Sequence, residues 1–394
     1  MPRLSHWRGN LLALAVFAVF RGFSVSGFQA FFTAYMRHVG YSMGGIGGVI
    51  TLASLSGALL APGFGAFIDC YGARLATTLT GVILASALAF LVAPPSYAVF
   101  IASYALFMLS FVFGQPARAT LLAKSVPREK HGYYVGLLAA LFSSARIVGP
   151  LVTGFIVAQL GFRTGWTILL LSASLGVVLF HLLSERDIER CRSPLSEMRG
   201  AYRRILSPRP GMKRVYVLIA MDRTGWSLWF PMLSAYLYGS GYSEEEVGAI
   251  FTTSALIQAA SMTLWGRLVD KIGPRRVLLV SEAIGVAAMV VLVDPTPFTR
   301  GLVAALFLGA SIAAWVPSYN KLIALVSPER LGEAYASANS VRSLAGSFTP
   351  SIGGFIFDNF GQVPVFGLSS VAVISAGVYA IVANPCKARE KRKK

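Results

Sequence analysis

Seven charged residues within the long apolar segments of this sequence have the side chains best suited to chemistry. Six are basic: Arg21, Arg118, Arg146, Arg223, Lys321 and Arg342. The seventh, Asp222, is the one acid that we place near the middle of an apolar segment. Arginine binds carboxylate or phosphate through paired, charge-assisted hydrogen bonds. The surplus of basic residues therefore favours an anionic ligand.

The sequence has no pattern typical of an enzyme or a metalloprotein. Its four histidines do not fall at ligand spacing, and no nucleophile and base occur together inside the apolar segments. We therefore predict no catalytic residue, no metal site, no cofactor and no enzymatic activity. Cys70, Cys191 and Cys386 all map to the predicted cytosolic side, so we expect no disulfide framework.

The elements that must position these charges are apolar helices. Hydrophobic residues make up 55% of the 394-residue chain and charged residues only 13%, and a spanning helix needs roughly 20 apolar residues. We predict an all-α integral membrane protein with twelve spans. The predicted spans are residues 10–36, 44–67, 75–93, 97–122, 132–158, 165–183, 214–238, 244–265, 277–293, 298–325, 333–357 and 362–383. The polar stretch 184–213 separates two six-helix bundles, 1–183 and 214–394, and is too short to fold alone.

Basic residues are distributed unevenly across this topology. Of 35 Lys and Arg, only Arg37, Arg163 and Arg300 lie in loops opposite the N-terminus and six lie inside spans, which leaves 26 on the side of the N-terminus. Cytosolic loops carry such an excess of basic residues. We therefore predict a multi-pass protein of the plasma membrane with both termini in the cytosol. The net charge of +18 is explained by topology and by contact with lipid, so no nucleic-acid partner is expected.

Two short loops repeat at half-chain spacing. The stretch GRLVDKIGPRR at 266–276 has an imperfect copy, GAFIDCYGAR, at 65–74. The paired residues are Gly65 and Gly266, Asp69 and Asp270, Gly72 and Gly273, and Arg74 and Arg275, each 201 residues apart. This spacing indicates two homologous halves. The pattern resembles the loop between the second and third helices of the major facilitator superfamily, although Cys70 and Leu75 replace the usual basic residues in the first copy.

This resemblance implies a specific arrangement of helices. In the superfamily, helices 1, 4, 7 and 10 line a central cavity, and helices 2, 5, 8 and 11 flank it. All six intramembrane basic residues fall on these helices and none on helices 3, 6, 9 or 12, which face the lipid. Glu282 falls near the cytosolic end of helix 9, so this arrangement implies that it lies away from the cavity. The resemblance also implies that the two loops act as a conformational latch. The latch residues are Gly65, Asp69, Gly72, Arg74, Gly266, Asp270, Lys271, Gly273, Arg275 and Arg276.

The resemblance places several further residues at the cavity. Gln29, Trp226 and Tyr319 lie on the same helices as the basic residues, so we predict that they line the substrate site with them. For Arg118 and Arg146 the alternative is a structural role at helix ends, and the aromatic residues are equally suited to helix packing. Lys321 can instead extend its side chain towards the cytosol.

Asp222 is the predicted coupling residue. It lies 201 residues after Arg21, at the equivalent position of the repeat. We hypothesise that the two residues pair across the cavity in one state and separate in the other. Protonation of Asp222 would break the pair and free Arg21 for an anion, and this gives a route to proton coupling. The alternative is a permanent ion pair with no part in coupling.

The segments PAR, VPRE and ARIVGP in and around spans 4 and 5 resemble a branch of the superfamily that includes siderophore and macrolide exporters. The GPLVTG stretch resembles an element of antiporters, with Thr153 where a glycine is usual. The resemblance implies a monomeric secondary transporter that works by alternating access. From the basic cavity we predict export of a small or amphipathic organic anion. The alternatives are a multidrug efflux permease and a transporter-derived sensor or lipid-translocating protein.

Overall fold

The structure, a computed structural model, describes residues 6–127, 130–185, 212–327 and 331–383. The secondary structure of these residues is helical, and none of them lies in a β-strand. In chain order the helices are α1 (His6–His38), α2 (Met43–Tyr71), α3 (Ala73–Val92), α4 (Tyr97–Ser125), α5 (His131–Leu183), α6 (Met212–Ser227), α7 (Leu233–Gly239), α8 (Glu244–Ile272), α9 (Pro274–Leu292), α10 (Phe298–Val326), α11 (Leu331–Phe360) and α12 (Gln362–Val382). The predicted all-α fold is confirmed.

The helices follow the predicted spans closely, except around spans 5 to 7. Spans 5 and 6 form one long element, α5, which bends at Gly161. This residue has φ 79°, a left-handed conformation that glycine adopts without a Cβ clash. Span 7 is divided at residues 228–229 into α6, a 3-10 turn at Phe230–Met232, and α7. Pro231 lies in that turn and has no N–H to donate, which explains why one straight helix does not continue through it.

Seven of the described helical segments are long and apolar enough, by length and composition alone, to cross a membrane. They are Gly9–His38, Ala73–Val92, Tyr97–Ser125, Tyr133–Leu183, Glu244–Ile272, Phe298–Val326 and Gln362–Val382. The segment Tyr133–Leu183 contains both arms of α5, so it corresponds to two of the predicted spans. Long apolar helices of this kind identify an integral membrane protein.

The chain divides into two compact units. The first comprises Met1–Phe32 and Leu52–Arg203, and the second comprises Thr33–Thr51 and Arg204–Lys394. The predicted bundle limits at residues 183 and 214 stay a prediction.

The second unit includes the junction between α1 and α2. There the Asp358 carboxylate, from α11, accepts hydrogen bonds from the N–H groups of Met43 at 3.0 Å and Gly44 at 2.7 Å. The first N–H groups of a helix have no partner within it. Asp358 therefore supplies the acceptor that the start of α2 lacks.

Glycine allows close contact between helices in the second unit. A Cβ on Gly47 of α2 would collide with the carbonyl of Pro350 in α11, and one on Gly354 would collide with the carbonyl of Met43. Small residues let helix backbones approach where lipid gives no hydrophobic drive for association. The glycines of α2, which the sequence shows in large number, serve this packing role at Gly47.

One expectation from the sequence is wrong. Cys70 is buried and forms a disulfide bond, although we expected no disulfides on the cytosolic side. The expectation rested on the redox state of the compartment. Topology fixes the side of the membrane on which a thiol lies, but the packing of the chain decides which other thiol it meets.

Candidate functional site

Arg21 is buried in the first unit, where hydrogen bonds to two other helices hold it. Its Nη1 donates to the Ser110 hydroxyl at 2.9 Å and to the Thr80 carbonyl at 3.5 Å, and its Nη2 donates to the Ser110 carbonyl at 2.7 Å. The Ser110 hydroxyl donates in turn to the Thr80 carbonyl at 2.7 Å. Only 3% of Arg21 is exposed. Arg21 therefore joins α1 to α3 and α4, and its guanidinium group has a fixed orientation.

Arg118 lies beside Arg21, Arg146 shares an aromatic ring with Arg118, and both are less well satisfied than Arg21. A Cβ on Gly114 would lie 2.7 Å from Arg21 Nη2 and 2.9 Å from Arg118 Nη1, so both guanidinium groups rest against this glycine. The guanidinium carbons of Arg118 and Arg146 lie 5.7 and 5.9 Å from the centre of the Phe142 ring. Arg118 Nη1 and Arg146 Nε are buried and have no acceptor. We call Arg21, Arg118 and Arg146 the arginine cluster.

The second unit buries two acids at one place. Asp222 Oδ1 accepts a hydrogen bond from the indole N–H of Trp315 at 3.2 Å, and Glu282 Oε2 accepts one from Trp226 at 3.1 Å. Trp226 follows Asp222 by about one helical turn on α6, and the two carboxyl groups lie close enough to interact electrostatically. Asp222 is 3% exposed and Glu282 is 0% exposed. We call these two residues the carboxyl pair.

Basic and aromatic side chains surround the carboxyl pair. Arg223 interacts electrostatically with both carboxyl groups, its stem packs on Gly346 of α11, and its Nε is buried without an acceptor. The Arg342 guanidinium lies 4.6 Å from the centre of the Trp315 ring, which is a cation–π contact. Trp315 stacks on Tyr319 with ring centres 4.5 Å apart. The site of the second unit therefore combines acids, cations and aromatic rings.

The two sites occupy equivalent positions of the repeat, and the basic Arg21 of the first aligns with the acidic Asp222 of the second. The equivalent pairs are Arg21 and Asp222, Thr80 and Ser281, Gly81 and Glu282, Ser110 and Ser311, and Arg118 and Tyr319, each 201 residues apart. The bridge between the two helices is kept, since Ser110 donates to the Thr80 carbonyl at 2.7 Å and Ser281 donates to the Ser311 carbonyl at 3.0 Å. The same framework thus holds a cation in the first unit and two acids in the second.

Most of the predicted cavity residues fall into these two sites, but two do not. Gln29 is half-buried on α1, eight residues beyond Arg21. Lys321 donates to Asp270 at 2.6 Å and to the Val269 carbonyl at 3.4 Å, so the structure places it with the latch. Arg21 and Asp222 are each bonded within their own unit, and their pairing in another state stays a prediction.

Glu282 is the residue that sequence reasoning missed. An acid inside a span was a usable signal, but we placed it near the end of a peripheral helix and away from the cavity. The structure buries it completely, on the indole N–H of Trp226 and close enough to Asp222 to interact with it electrostatically. On the side of α12, Gly377 lies beside it, since a Cβ there would come 3.5 Å from Glu282 Cγ.

The two latch loops have the same backbone geometry. Gly72 has φ 87° and ψ 153°, and Gly273 has φ 90° and ψ 152°, at the junctions of α2 with α3 and of α8 with α9. Positive φ at both positions explains the repeated glycine. In the first loop, Arg74 donates to the Ser184 hydroxyl at 2.8 Å and to the His181 carbonyl at 2.7 Å, and so ties α3 to the end of α5.

The remaining latch residues differ in how they are engaged. In the second loop Asp270 pairs with Lys321 of α10. Lys271 and Arg276 are exposed, Arg275 is half-buried, and a Cβ on Gly266 would meet no neighbouring atom. For Gly65 and Asp69 the structure describes only the backbone, which lies in α2, and their side chains fall outside the described part.

The Asp270–Lys321 pair gives a test of the latch. Asp270→Asn is expected to lower the transport rate several-fold and to leave substrate affinity within about threefold, because the family resemblance implies that this residue shifts a conformational equilibrium and does not bind substrate. Lys321→Met removes the same ion pair from the other side. Transport and binding by the two single variants and the double variant should show non-additive losses in rate. A large loss of affinity in Asp270→Asn would contradict this role.

Both halves of the chain match a single family model. Residues 14–221 and 215–394 match the Major Facilitator Superfamily. The multi-drug resistance efflux pump PmrA of Streptococcus pneumoniae serotype 4 is 24% identical over 397 residues, 96% of this chain and 96% of PmrA. The multidrug resistance protein MdtG of Yersinia enterocolitica is 23% identical over 410 residues, 99% of this chain and 97% of MdtG.

Solved structures show the same fold. The nucleoside transporter NupG has a TM-score of 0.79 at 12% sequence identity, over 95% of this chain and 99% of that one. The peptide transporter POT in complex with sulfate has a TM-score of 0.72 at 15% identity, over 95% and 94%. At such identities the likeness concerns the fold alone.

Proposed function

Because the chain belongs to the major facilitator superfamily, we propose that it is an efflux transporter that moves amphipathic organic compounds across the plasma membrane by alternating access. The direction of transport is supported by the relatives, since PmrA is named as an efflux pump and MdtG as a multidrug resistance protein. Each of these alignments covers at least 96% of the chain, so the likeness extends over both units.

The arginine cluster is the observation that carries the substrate class. Its buried N–H groups at Arg118 Nη1 and Arg146 Nε have no acceptor. A buried cationic donor without a partner is costly, and an anionic ligand removes that cost by accepting its hydrogen bonds. The Phe142 ring under both guanidinium groups adds an apolar surface. We therefore propose that amphipathic anions are preferred over neutral and cationic compounds of similar size.

A second candidate is the efflux of lipophilic cations. The carboxyl pair supports it, because buried acids next to the aromatic rings of Trp226 and Trp315 attract an organic cation. The basic side chains of Arg223 and Arg342 beside the pair oppose it. We rank the anion first for two reasons. The arginine cluster has buried donors without acceptors, and none of its three arginines forms an ion pair among the described residues.

Transport into everted membrane vesicles tests the proposal. Vesicles that contain the protein and an imposed proton gradient should accumulate an anionic amphipathic dye at least several-fold faster than a cationic dye of matched size. Vesicles without the protein, and vesicles treated with a protonophore, are the controls. Accumulation of the cation alone would support the second candidate. Binding of the dyes without any flux would indicate a sensor and would contradict transport.

The proposed orientation has both termini in the cytosol, and it rests on the uneven distribution of basic residues. Arg163 and Arg300 are exposed at the bend of α5 and at the start of α10. The predicted topology puts these positions on the external side, opposite the basic latch loops.

We propose a monomer, because each six-helix bundle contributes one of the two charged sites and one chain contains both bundles.

A further inference from the structure

One oxygen of the carboxyl pair, Glu282 Oε1, is buried without a hydrogen-bond donor. Glu282 Oε2 accepts the indole N–H of Trp226, but Glu282 Oε1 is fully buried and receives no hydrogen bond. The neighbouring group is the Asp222 carboxyl, which as a carboxylate has only acceptors to offer. Two carboxylates that are buried close together, away from water, repel each other strongly, so such pairs bind one proton between them.

The other charged and titratable groups near the pair neither supply this donor nor balance two negative charges. Arg223 interacts with both acids but forms no ion pair with either among the described residues, and Tyr319 and Arg342 lie further along the same aromatic stack. On the side of α12, the residue next to Glu282 is Gly377, which cannot donate from a side chain. One positive charge at Arg223 can balance one carboxylate but not two.

We propose that Asp222 and Glu282 together form the proton-binding site of this transporter, which holds one proton in the hydrogen bond between their carboxyl groups. The proton comes from water on the side to which the pair is open, and it returns to water on the other side. No other bond forms or breaks. This inference deepens the proposed efflux by naming its coupling ion and its site, and it relies on that function only for the direction of transport.

The repeat explains why the site lies in the second unit only. The equivalent positions of the first unit are Arg21 and Gly81, and neither can bind a proton in this way. A Cβ on Gly81 would collide with Val177 and lie 2.9 Å from Phe17, so the first unit has no room for a glutamate at this position. Binding of an anion and binding of a proton are therefore divided between equivalent positions of the two units.

Infrared difference spectroscopy of the purified full chain in lipid, without substrate, tests the site directly. Between about pH 5 and about pH 9, the wild type should show the C=O stretching band of one buried protonated carboxyl, shifted in heavy water. Glu282→Gln and Asp222→Asn should each lose that band. Both variants keep the shape of the side chain and supply an amide donor to the remaining acid, so both are expected to fold. Glu244→Gln, in the first turn of α8, should keep the band.

The fluorescence of two tryptophans at the site gives an independent readout. Trp226 and Trp315 donate their indole N–H groups to the pair, so tryptophan emission should change with pH in parallel with the band and lose that change in both variants. Absence of the band from the wild type at every pH, or its persistence in both variants, would overturn the proposal. A response to sodium ions in place of protons would overturn it as well. Because no substrate is present, failure of the efflux assay would leave this result unaffected.

Discussion

Arg118→Gln is expected to lower the affinity of the purified protein for an amphipathic anion by about 10- to 100-fold, a loss of roughly 1.5–3 kcal/mol. Arg118 Nη1 is buried, lies next to Arg21 Nη2 at Gly114, and has no acceptor in the protein. A ligand that accepts this hydrogen bond gains a charge-assisted contact in a site shielded from water. Glutamine has a shorter side chain and no charge, so it loses most of that contact.

Binding of a matched pair of dyes, one anionic and one neutral, gives the measurement. Affinity for the neutral dye should stay within about threefold of the wild type, because its binding depends on apolar contact and not on the guanidinium group. Arg163→Gln, at an exposed position beyond the bend of α5, is the control and should change neither affinity. Equal losses for both dyes would mean that Arg118 is a structural partner of the helices, the alternative that the sequence left open.

The fold could be predicted in detail because its signals are local and repeated. The glycines at 72 and 273 indicated equivalent turns, and the structure gives them φ values of 87° and 90°. Long apolar segments specify spanning helices because the bilayer leaves backbone groups no other partner. The exceptions are also local: the bend at Gly161 joins two predicted spans, and the break at residues 228–229 divides another.

The partners of the charged residues could be predicted only in part. Helical spacing shows which residues share a face of one helix, but the approach of Asp222 to Glu282 depends on how α6 and α9 are rotated against each other. Sixty positions separate the two acids in the sequence, and the repeat partner of Glu282 is a glycine. The repeat therefore gave no hint of a second acid, and Asp222 was assigned Arg21 as its partner.

Lys321 shows the same limit at shorter range. Its position inside an apolar segment indicated the cavity, yet its long side chain carries the ammonium group to Asp270 at the end of α8. A lysine can place its charge several ångströms from its backbone, so the span in which it occurs does not fix the site in which it acts.

Gly353→Ala is expected to be the most damaging small substitution in the second unit. A Cβ on Gly353 of α11 would collide with the carbonyl of Leu228 and would lie 2.7 Å from its carbonyl carbon and 3.0 Å from its Cα. These atoms are backbone at the break between α6 and α7, so they cannot move aside as a flexible side chain does. Overpacking of this kind typically costs 1–3 kcal/mol, which outweighs the roughly 1 kcal/mol that alanine gains over glycine in a helix.

Gly367→Ala in α12 is the matched control, since a Cβ at that position would meet no atom within 4 Å. The midpoint of thermal unfolding in detergent should fall by several degrees for Gly353→Ala and stay level or rise for Gly367→Ala. Transport should fall with it, because Leu228 follows Asp222 by six residues and any shift of the break moves the carboxyl pair. Equal midpoints for the two variants would show that α11 can move away from Leu228 at no cost. In that case the close contact between Gly353 and Leu228 would not be what holds the end of α6, and Asp222 with it, in place.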